Sequence, residues 1–271
     1  MLNTWEAKRL VQVITFGRTR PMVIECTRST ELSDESTEET SNDSVESQRL
    51  VVKANGLPEI TDAHLFCEAF GNLLARELHV DTPQPALVNL SEEFVYATNL
   101  SLKEHEISLH EGLAVGCEYF HGGFTSVIPG MPLMPEETAQ AAQIYGFDLL
   151  VQNPDRRPDK PNCAHLGNRL IAYDFELCFS FIYLIGMQNP WAVSQHGLGT
   201  RHLFNSILRN RPHSWKKLIN ALNDLSDERL NSLSVALPNN WKVWLPKVQS
   251  HLQAVKTNLP EFEHELQRSL S

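Results

Sequence analysis

The sequence predicts an α+β fold, with a strand-rich amino-terminal half and a mainly helical carboxy-terminal half. Two β-rich pieces, VQVITF (11–16) and MVIECT (22–27), precede a third strand at RLVVKAN (49–55). From about residue 199 onward the chain has the pattern of helices. Its 271 residues suffice for one large domain or for two lobes that share a core. With 42 % apolar and 21 % charged residues, the composition is that of a globular protein.

An acidic insert separates the second and third predicted strands. Residues 29–47, STELSDESTEETSNDSVES, consist almost entirely of Ser, Thr and acids. Such a segment buries too little apolar surface to offset the entropy of ordering it, so we expect a mobile or disordered loop. Residues 31–46 contain seven acids and no Lys or Arg. The rest of the chain therefore has a net charge of about −3, compared with −10 for the whole chain. Acids and bases nearly balance in the rest of the chain. This argues against direct nucleic-acid binding, which requires a concentrated basic surface.

A helix and further strands complete the predicted amino-terminal half. Thr61 is a good N-cap, and apolar residues recur at helical spacing from Leu65 to Leu78. Residues 80–90 should be extended because two prolines restrict their predecessors. The stretch 91–121 should contain two more strands, FVYAT and LAVGCEYF. We therefore assign residues 1–120 to an amino-terminal lobe of strands, one helix and the insert.

The predicted carboxy-terminal lobe, residues 121–271, begins with a helix at about 136–151. A loop rich in Pro, Asn, Asp and Arg follows, QNPDRRPDKPN (152–162). Two short β pieces, CAHLG and RLIAYDFEL, come next, and the remainder is helical.

The predicted compartment is the cytoplasm. We expect no secretory leader, because the first residues show no apolar core followed by a small-residue cleavage site, and the longest apolar run is too short to span a membrane. Its five cysteines are scattered without a Cys-x-x-Cys pair, which favours reduced, mostly buried thiols over disulfides or a zinc site.

Candidate chemistry concentrates in the 152–162 loop and just after it. The loop carries Asp155 and Asn162, and Asp174 follows at the end of an apolar strand. One carboxylate can position an attacking hydroxyl, while an amide oxygen and a second carboxylate hold Mg²⁺ on nucleotide phosphates. Each residue alone also fits a solvated turn. However, an acid within LIAYDFELCF would be costly to bury unless it is paired or binds a ligand.

Two upstream residues extend this pattern. Lys53 lies within a strand, where its ammonium could meet nucleotide phosphates, and Glu68 on the next helix could pair with it. A strand Lys and a helix Glu, followed by Asp, Asn and Asp, is the order of groups in a kinase.

The residues around these positions resemble the HipA-like kinase family and, more remotely, the phosphoinositide kinases. The HipA-like pattern is a helix that ends in Asn-x-Asp-Arg, followed by Asn-Pro-Asn and by an apolar strand that ends in Asp. The matching residues of this chain are Asn153-Pro154-Asp155-Arg156, then Lys160-Pro161-Asn162, then Asp174. The resembling stretches are LVVKANG (50–56), HLFCEAFGNLLARELHVDTPQPALV (64–88), FDLLVQNPDRRPDKPN (147–162), RLIAYDFELCF (169–179) and VALPNNWKVW (235–244).

This resemblance implies a two-lobed protein-kinase-like fold that uses ATP and Mg²⁺. It implies that Asp155 is the catalytic aspartate and that Asn162 and Asp174 bind the metal. Lys53 would contact the ATP phosphates, with Glu68 as its partner. Backbone groups of 117–121, in particular Cys117, Glu118 and Tyr119, would form the adenine-binding hinge. The expected activity is phosphoryl transfer to Ser or Thr of a protein substrate.

Two departures from the family keep other functions open. Lys160 replaces the first Asn of Asn-Pro-Asn, and no glycine lies between Gly17 and Gly56, where a phosphate-binding loop would join the first strands. The alternatives are a pseudokinase that acts as a nucleotide-binding regulatory module, and an enzyme of the same fold that transfers AMP. The insert could be autophosphorylated on its nine Ser and Thr residues, bind a basic partner, or be a plain solvated loop.

Overall fold

The computed structural model of the chain describes residues 2–28, 46–184 and 189–271. Apart from Glu46 and Ser47, the acidic insert lies outside the described residues, so its expected mobility and phosphorylation stay predictions. The chain divides into two compact units. One comprises Met1–Leu65 and Gln84–Tyr119, and the other comprises Phe66–Pro83 and Phe120–Ser271.

The first unit is built on a closed five-stranded barrel. Its strands are β1 (Asn3–Val13), β2 (Met22–Arg28), β3 (Ser47–Lys53), β4 (Pro85–Leu90) and β5 (Gly112–Glu118). They follow the order β1-β2-β3-β5-β4, and β4 closes the barrel by pairing parallel to β1, with Trp5 opposite Val88. All other neighbours are antiparallel. The apolar residues of β2 are buried, as are Leu50 and Val52 of β3, and Lys53 ends β3 in a buried position.

Two sequence predictions in this unit are wrong. The first strand covers residues 3–13 and not 11–16, because the alternation that buries Trp5 and Ala7 starts earlier. FVYAT is not a strand but part of helix α2 (Glu92–Leu102). Ser91 caps this helix by accepting a hydrogen bond from the Phe94 amide at 3.2 Å, and the buried residues recur at intervals of four. The helical period therefore overrides the β propensity of Val and Tyr.

The second unit combines helices with a small antiparallel sheet. Helix α1 (Asp62–Glu77) starts in the first unit and continues into the second. The sheet consists of β6 (Phe124–Ser126), β7 (Cys163–Leu166) and β8 (Arg169–Ala172). The remaining helices are α3 (Pro135–Leu150), α4 (Asn205–Leu208), α5 (Lys216–Asp224), α6 (Asp227–Ser234), α7 (Leu245–Thr257) and α8 (Leu259–Arg268). Single 3₁₀ turns cover Lys103–His105, Ser180–Tyr183, Val193–His196, Gly199–Arg201 and Lys242–Trp244.

Aromatic packing holds the part of α1 in the second unit against the segment that follows Asp174. The rings of Phe66 and Phe70 stack at 5.4 Å, and Phe179 lies 6.0 Å from Phe70. Gly71 permits this close approach, because a Cβ there would lie 2.6 Å from Cys178 Sγ. The segment after Asp174 is therefore fixed in place by a helix from an earlier part of the chain.

All five cysteines are free thiols, and all but Cys117 are buried, as the sequence predicts. In the described ranges, none of the helices combines the length and apolar character that crossing a membrane requires.

Candidate active site

Helix α3 and the loop after it position the first candidate residue, Asp155. The apolar helix ends at Leu150, and Gln152 turns the chain with a φ of 50°. Asn153 then links helix to loop. Its amide donates to Asp148 Oδ1 at 2.9 Å, and its Oδ1 accepts from the Asp155 backbone N–H at 3.1 Å. The chain around Asp155 is therefore tied directly to a buried helical carboxylate.

Arg156 is the anchor of this loop. Its side chain is fully buried, and its Nε donates to Asp148 Oδ2 at 2.5 Å. Its terminal nitrogens donate to the backbone carbonyls of Asn162 and, at 3.1 Å, of Tyr173. One guanidinium thus ties α3 to the Asn162 segment and to the residue before Asp174, which brings the candidate residues together.

The charges in this anchor are compensated. Burial of Asp148 opposes its ionisation, but Arg156 and His202 outweigh burial and hold the pKa of the carboxyl below its ordinary value. His202 Nε2 lies 2.9 Å from Asp148 Oδ2. Burial lowers the pKa of His202, and Asp148 only partly reverses this. The buried centre is therefore an ion pair between Asp148 and Arg156, with a hydrogen bond from a neutral imidazole.

Lys160 joins the two candidate aspartates. Its Nζ lies 2.5 Å from Asp155 Oδ2 and 3.4 Å from Asp174 Oδ2. The Asn162 side-chain amide donates to the same Asp155 oxygen at 3.1 Å. Burial disfavours the charged form of Lys160, but Asp174 and Asp155 outweigh burial and raise its pKa. The structure therefore brings Asp155, Asn162 and Asp174 together around a protonated lysine.

Asp174 belongs in addition to a cluster of three acids. Carboxylate oxygens of Glu68, Asp174 and Glu176 all lie within 4.8 Å of one another, and both glutamates are buried. The Phe175 backbone N–H donates to Glu68 Oε2 at 2.9 Å, which fixes α1 to the residue after Asp174. Carboxylate and amide oxygens are hard ligands that suit Mg²⁺, so these residues fit a divalent cation of that type.

Two candidate residues have backbone conformations that are uncommon for side-chain-bearing residues. Asn162 has a φ of 44° and Asp174 a φ of 63°, both in the left-handed region. Asn and Asp tolerate this region better than other non-glycine residues. Such conformations cost free energy, and they concentrate at functional sites, where the surrounding structure enforces them.

The first unit holds the remaining sequence-predicted residues. Lys53 is buried at the end of β3, where it is in register with Val115 of β5. The backbone N–H of Glu118 donates to Gln84 O at 3.0 Å, and that of Tyr119 donates to Arg49 O at 3.3 Å. These two N–H groups of the predicted hinge therefore form hydrogen bonds within the first unit. The roles of Lys53, of Cys117 to Tyr119 and of a Lys53–Glu68 pair stay predictions.

Three residues of this centre are not among the residues predicted from the sequence, although the sequence carries signals for two of them. Glu176 is two residues after Asp174 in the predicted β piece RLIAYDFEL, and that spacing in a strand would put both side chains on one face. Asp148 is a charged residue in the apolar helix run FDLLV, which already indicates a buried partner. His202 has no comparable signal, because it comes from a distant, irregular segment.

The fold resembles that of a kinase. The crystal structure of the Helicobacter pylori proinflammatory kinase CtkA matches with a TM-score of 0.52 and 11 % sequence identity, over 100 % of both chains. A weaker match is the Neurospora crassa complex of PAN2 with the PAN3 pseudokinase, at a TM-score of 0.33 and 12 % identity. It covers 98 % of this chain and 64 % of that one. No protein-family model and no curated protein matches the sequence. At this identity the CtkA match establishes the fold alone: the chain has a kinase-like α+β fold.

Proposed function

We propose that this protein is an ATP- and Mg²⁺-dependent kinase of the HipA-like type that phosphorylates Ser or Thr of a protein. The convergence of Asp155, Asn162 and Asp174 around Lys160, in a chain with a kinase-like fold, supports the proposal. Phosphoryl transfer needs a carboxylate that orients the hydroxyl and oxygen ligands that hold a metal on the phosphates. In this proposal Asp155 supplies the carboxylate, and Asn162 and Asp174 supply the oxygen ligands. We further propose that the two compact units are the two lobes of the kinase.

Each residue has a distinct part in the proposed reaction. Asp155 would orient the substrate hydroxyl and accept its proton as the oxygen bonds to the γ-phosphorus and the bond to ADP breaks. Asn162 and Asp174 would hold Mg²⁺, with Glu68 or Glu176 as further oxygen ligands. The bound cation would neutralise charge on the phosphates. Lys53 and the backbone of Cys117 to Tyr119 would contact ATP.

A second candidate is a pseudokinase that binds a nucleotide without turnover. Lys160 favours it, because an ammonium between two aspartates competes with a metal cation for the same carboxylates. The lack of glycine between Gly17 and Gly56, where a phosphate-binding loop would join the first strands, also favours a pseudokinase. In this case the protein would act through a protein partner and not through phosphorylation.

The test is phosphoryl transfer by the purified full chain with Mg²⁺ and γ-labelled ATP, using a pool of Ser/Thr-containing peptides as acceptor. Asp155→Asn and Asp174→Asn should each lower the rate of transfer by roughly a hundredfold or more. Each replaces a proposed catalytic or metal-binding carboxylate with a neutral amide. Asp159→Asn is the matched control. Asp159 lies in the same loop but pairs with Arg157 at the surface, so its loss should leave the rate unchanged.

The outcomes separate the alternatives. No transfer by the wild type, together with thermal stabilisation by ATP, identifies a pseudokinase. An intact-mass gain of about 80 Da marks phosphate, whereas about 329 Da marks AMP. Peptide mapping after incubation with ATP tests autophosphorylation of residues 29–47. Transfer that persists in both aspartate variants would refute the assignment of this site.

A further inference from the structure

The small sheet of the second unit has two edges that differ. Strand β8 forms one edge and β6 forms the other. The outer side of β8 is covered by other parts of the chain. The Leu170 N–H donates to Gln140 Oε1 at 2.7 Å, and the Ala172 N–H donates to the Asp81 carbonyl at 2.9 Å. The protein therefore closes the β8 edge of this sheet itself.

The register of β6 determines which of its backbone groups point away from the sheet. The Val127 N–H, just after β6, donates to the carbonyl of Cys163 in β7 at 2.9 Å. In an antiparallel ladder, hydrogen-bonded residues alternate with residues that are not bonded to the partner strand. Thr125, two residues earlier, therefore also bonds to β7. The N–H and C=O groups of Phe124 and Ser126 point outward.

These outward groups of β6 are open to a partner. Across the described residues, the backbone groups of Phe124 and Ser126 have no hydrogen-bond partner on the outer side. Thr125 and Ser126 are exposed, and so are Gly122 and Gly123 in the bend before the strand. An edge strand with free N–H and C=O groups can accept a further strand from another chain. The β6 edge is thus available for pairing, in contrast to the β8 edge.

Apolar side chains lie along this open edge. The ring of Phe124 stacks on Phe120 at 5.0 Å and lies 5.5 Å from the ring of Tyr173, and all three are half-buried. Ile128, two residues after the end of β6, is 59 % exposed. In a sheet, side chains on the same face of neighbouring strands are in contact. The edge therefore favours a segment whose apolar residues stand at alternate positions.

The open edge is close to the candidate active site. Cys163, which accepts the hydrogen bond from the end of β6, directly follows Asn162. The Tyr173 hydroxyl forms a hydrogen bond with the Ser126 side chain, and Tyr173 directly precedes Asp174. Neighbouring strands are about 4.8 Å apart, so a strand added to β6 would run roughly 10 Å from β7. A few extended residues bridge that distance.

We propose that β6 is the docking strand for an extended segment of a protein substrate, which adds to the sheet as a fourth strand. The backbone of the segment pairs with the outward groups of Phe124 and Ser126, and its alternate apolar side chains lie along Phe124 and Ile128. A Ser or Thr farther along the segment then reaches Asp155. Calling the segment a substrate rests on the proposed function, whereas the docking itself requires no phosphoryl transfer.

The experiment measures fluorescence anisotropy of the dye-labelled peptide Lys-Val-Thr-Val-Ser-Val-Thr-Glu on the full chain, without ATP. Two further peptides carry N-methyl groups, one on its three Val residues and the other on its Thr, Ser and Thr. The N–H groups of alternate residues in an extended chain point to opposite sides. One methylated peptide should therefore bind at least roughly tenfold more weakly than the parent, and the other within about twofold of it.

Variants of the protein test the same edge. Ser126→Pro removes an outward N–H but none of the hydrogen bonds between β6 and β7, and it should weaken binding by at least roughly tenfold. Ile128→Ser removes the exposed aliphatic group and should weaken binding by roughly threefold or more. Val243→Ser makes a similar change at a residue that is 64 % exposed elsewhere in the second unit, and it should bind like the wild type. Thermal unfolding shows whether each variant is folded. If Ser126→Pro is not, Ile128→Ser and the methylated peptides still decide the question.

The proposal is overturned if the two methylated peptides bind equally, if folded Ser126→Pro or Ile128→Ser binds like the wild type, or if the parent peptide does not bind at about 1 mM. A failure of the proposed function has a different result. If the peptide binds as expected but receives no phosphate from ATP and Mg²⁺, the kinase activity is refuted and the docking strand is supported.

Discussion

The Lys160 ammonium lies 2.5 Å from Asp155 Oδ2 and, on its other side, 3.4 Å from Asp174 Oδ2. The lysine that departs from the Asn-Pro-Asn pattern is therefore part of the centre itself. It holds together the two carboxylates on which the proposed reaction depends, and it occupies a place where a metal cation would also be attracted.

Replacement of Lys160 should strengthen the response to Mg²⁺. Lys160→Gln leaves two neighbouring carboxylates without their ammonium, so we expect a loss of stability of roughly 1–2 kcal/mol in the metal-free protein. Added Mg²⁺ then becomes the main compensating charge, and its apparent affinity should rise by roughly tenfold. Thermal unfolding over a series of Mg²⁺ concentrations measures both effects.

Arg157→Gln, which removes a surface ion pair in the same loop, is the control. An unchanged Mg²⁺ response in Lys160→Gln would show that the lysine and the metal do not share this site.

The buried pair of Asp148 and Arg156 should dominate the stability of the loop. Asp148→Ala leaves a fully buried guanidinium without its partner, and we expect a loss of about 3–5 kcal/mol. The double variant Asp148→Leu/Arg156→Met should lose less than Asp148→Ala, since no uncompensated charge remains. Urea unfolding provides the measurement. For comparison, Arg229→Met breaks the exposed pair with Glu77 and should cost under about 1 kcal/mol. If the double variant proves less stable than Asp148→Ala, this explanation is wrong.

Stability should fall as the pH drops from about 6.5 towards 4. Burial lowers the pKa of His251 to about 4, although its hydrogen bond to the Leu150 carbonyl acts in the opposite direction. Nε2 donates to that carbonyl at 2.7 Å, and the ring stacks on Phe181. Below pH 6.5 the unfolded chain binds a proton that the folded chain excludes. Folding therefore loses up to roughly 3 kcal/mol by pH 4.

The pH prediction is checked by urea unfolding at several pH values between 4 and 7. His251→Gln removes this titration and should flatten the profile, while Gln253→Leu on the exposed face of α7 should leave it unchanged. Burial also lowers the pKa of His202 and of His196, so part of the slope should persist in His251→Gln. A profile of identical slope in His251→Gln and the wild type would rule out the role of His251.

Thiol reactivity should be confined to Cys117 in the native protein. Burial raises the pKa of Cys26 and of Cys163 to about 12, so almost no reactive thiolate forms near neutral pH. Cys67 and Cys178 are buried as well, whereas Cys117 is partly exposed. Iodoacetamide at pH 8 followed by peptide mass spectrometry should find Cys117 labelled first and the others only after unfolding. Labelling of native Cys163 would reveal opening of the adjacent Asn162 loop.

How far the sequence predicts this structure depends on the range of the interactions. Helices α1 and α3 and strands β2, β3 and β5 follow from local periodicity and lie near their predicted positions. The sequence predicts a strand at FVYAT, within helix α2, because this stretch is rich in β formers, while the Ser91 cap and the four-residue spacing of buried side chains lie partly outside it. The closure of the barrel through β1 and β4 could not be predicted, since the two strands are about 80 residues apart.

By itself, the sequence determined the order of chemical groups: Lys53, Glu68, Asp155, Asn162 and Asp174, each on a segment of predictable type. Only the tertiary structure decided which of them meet. It placed Lys160 between Asp155 and Asp174, joined Glu68 and Glu176 to Asp174, and buried Arg156 against Asp148. The reason is physical: hydrophobic periodicity is a local property of the chain. The partner of a buried charge is chosen by packing between distant segments, where an unpaired charge would be too costly to bury.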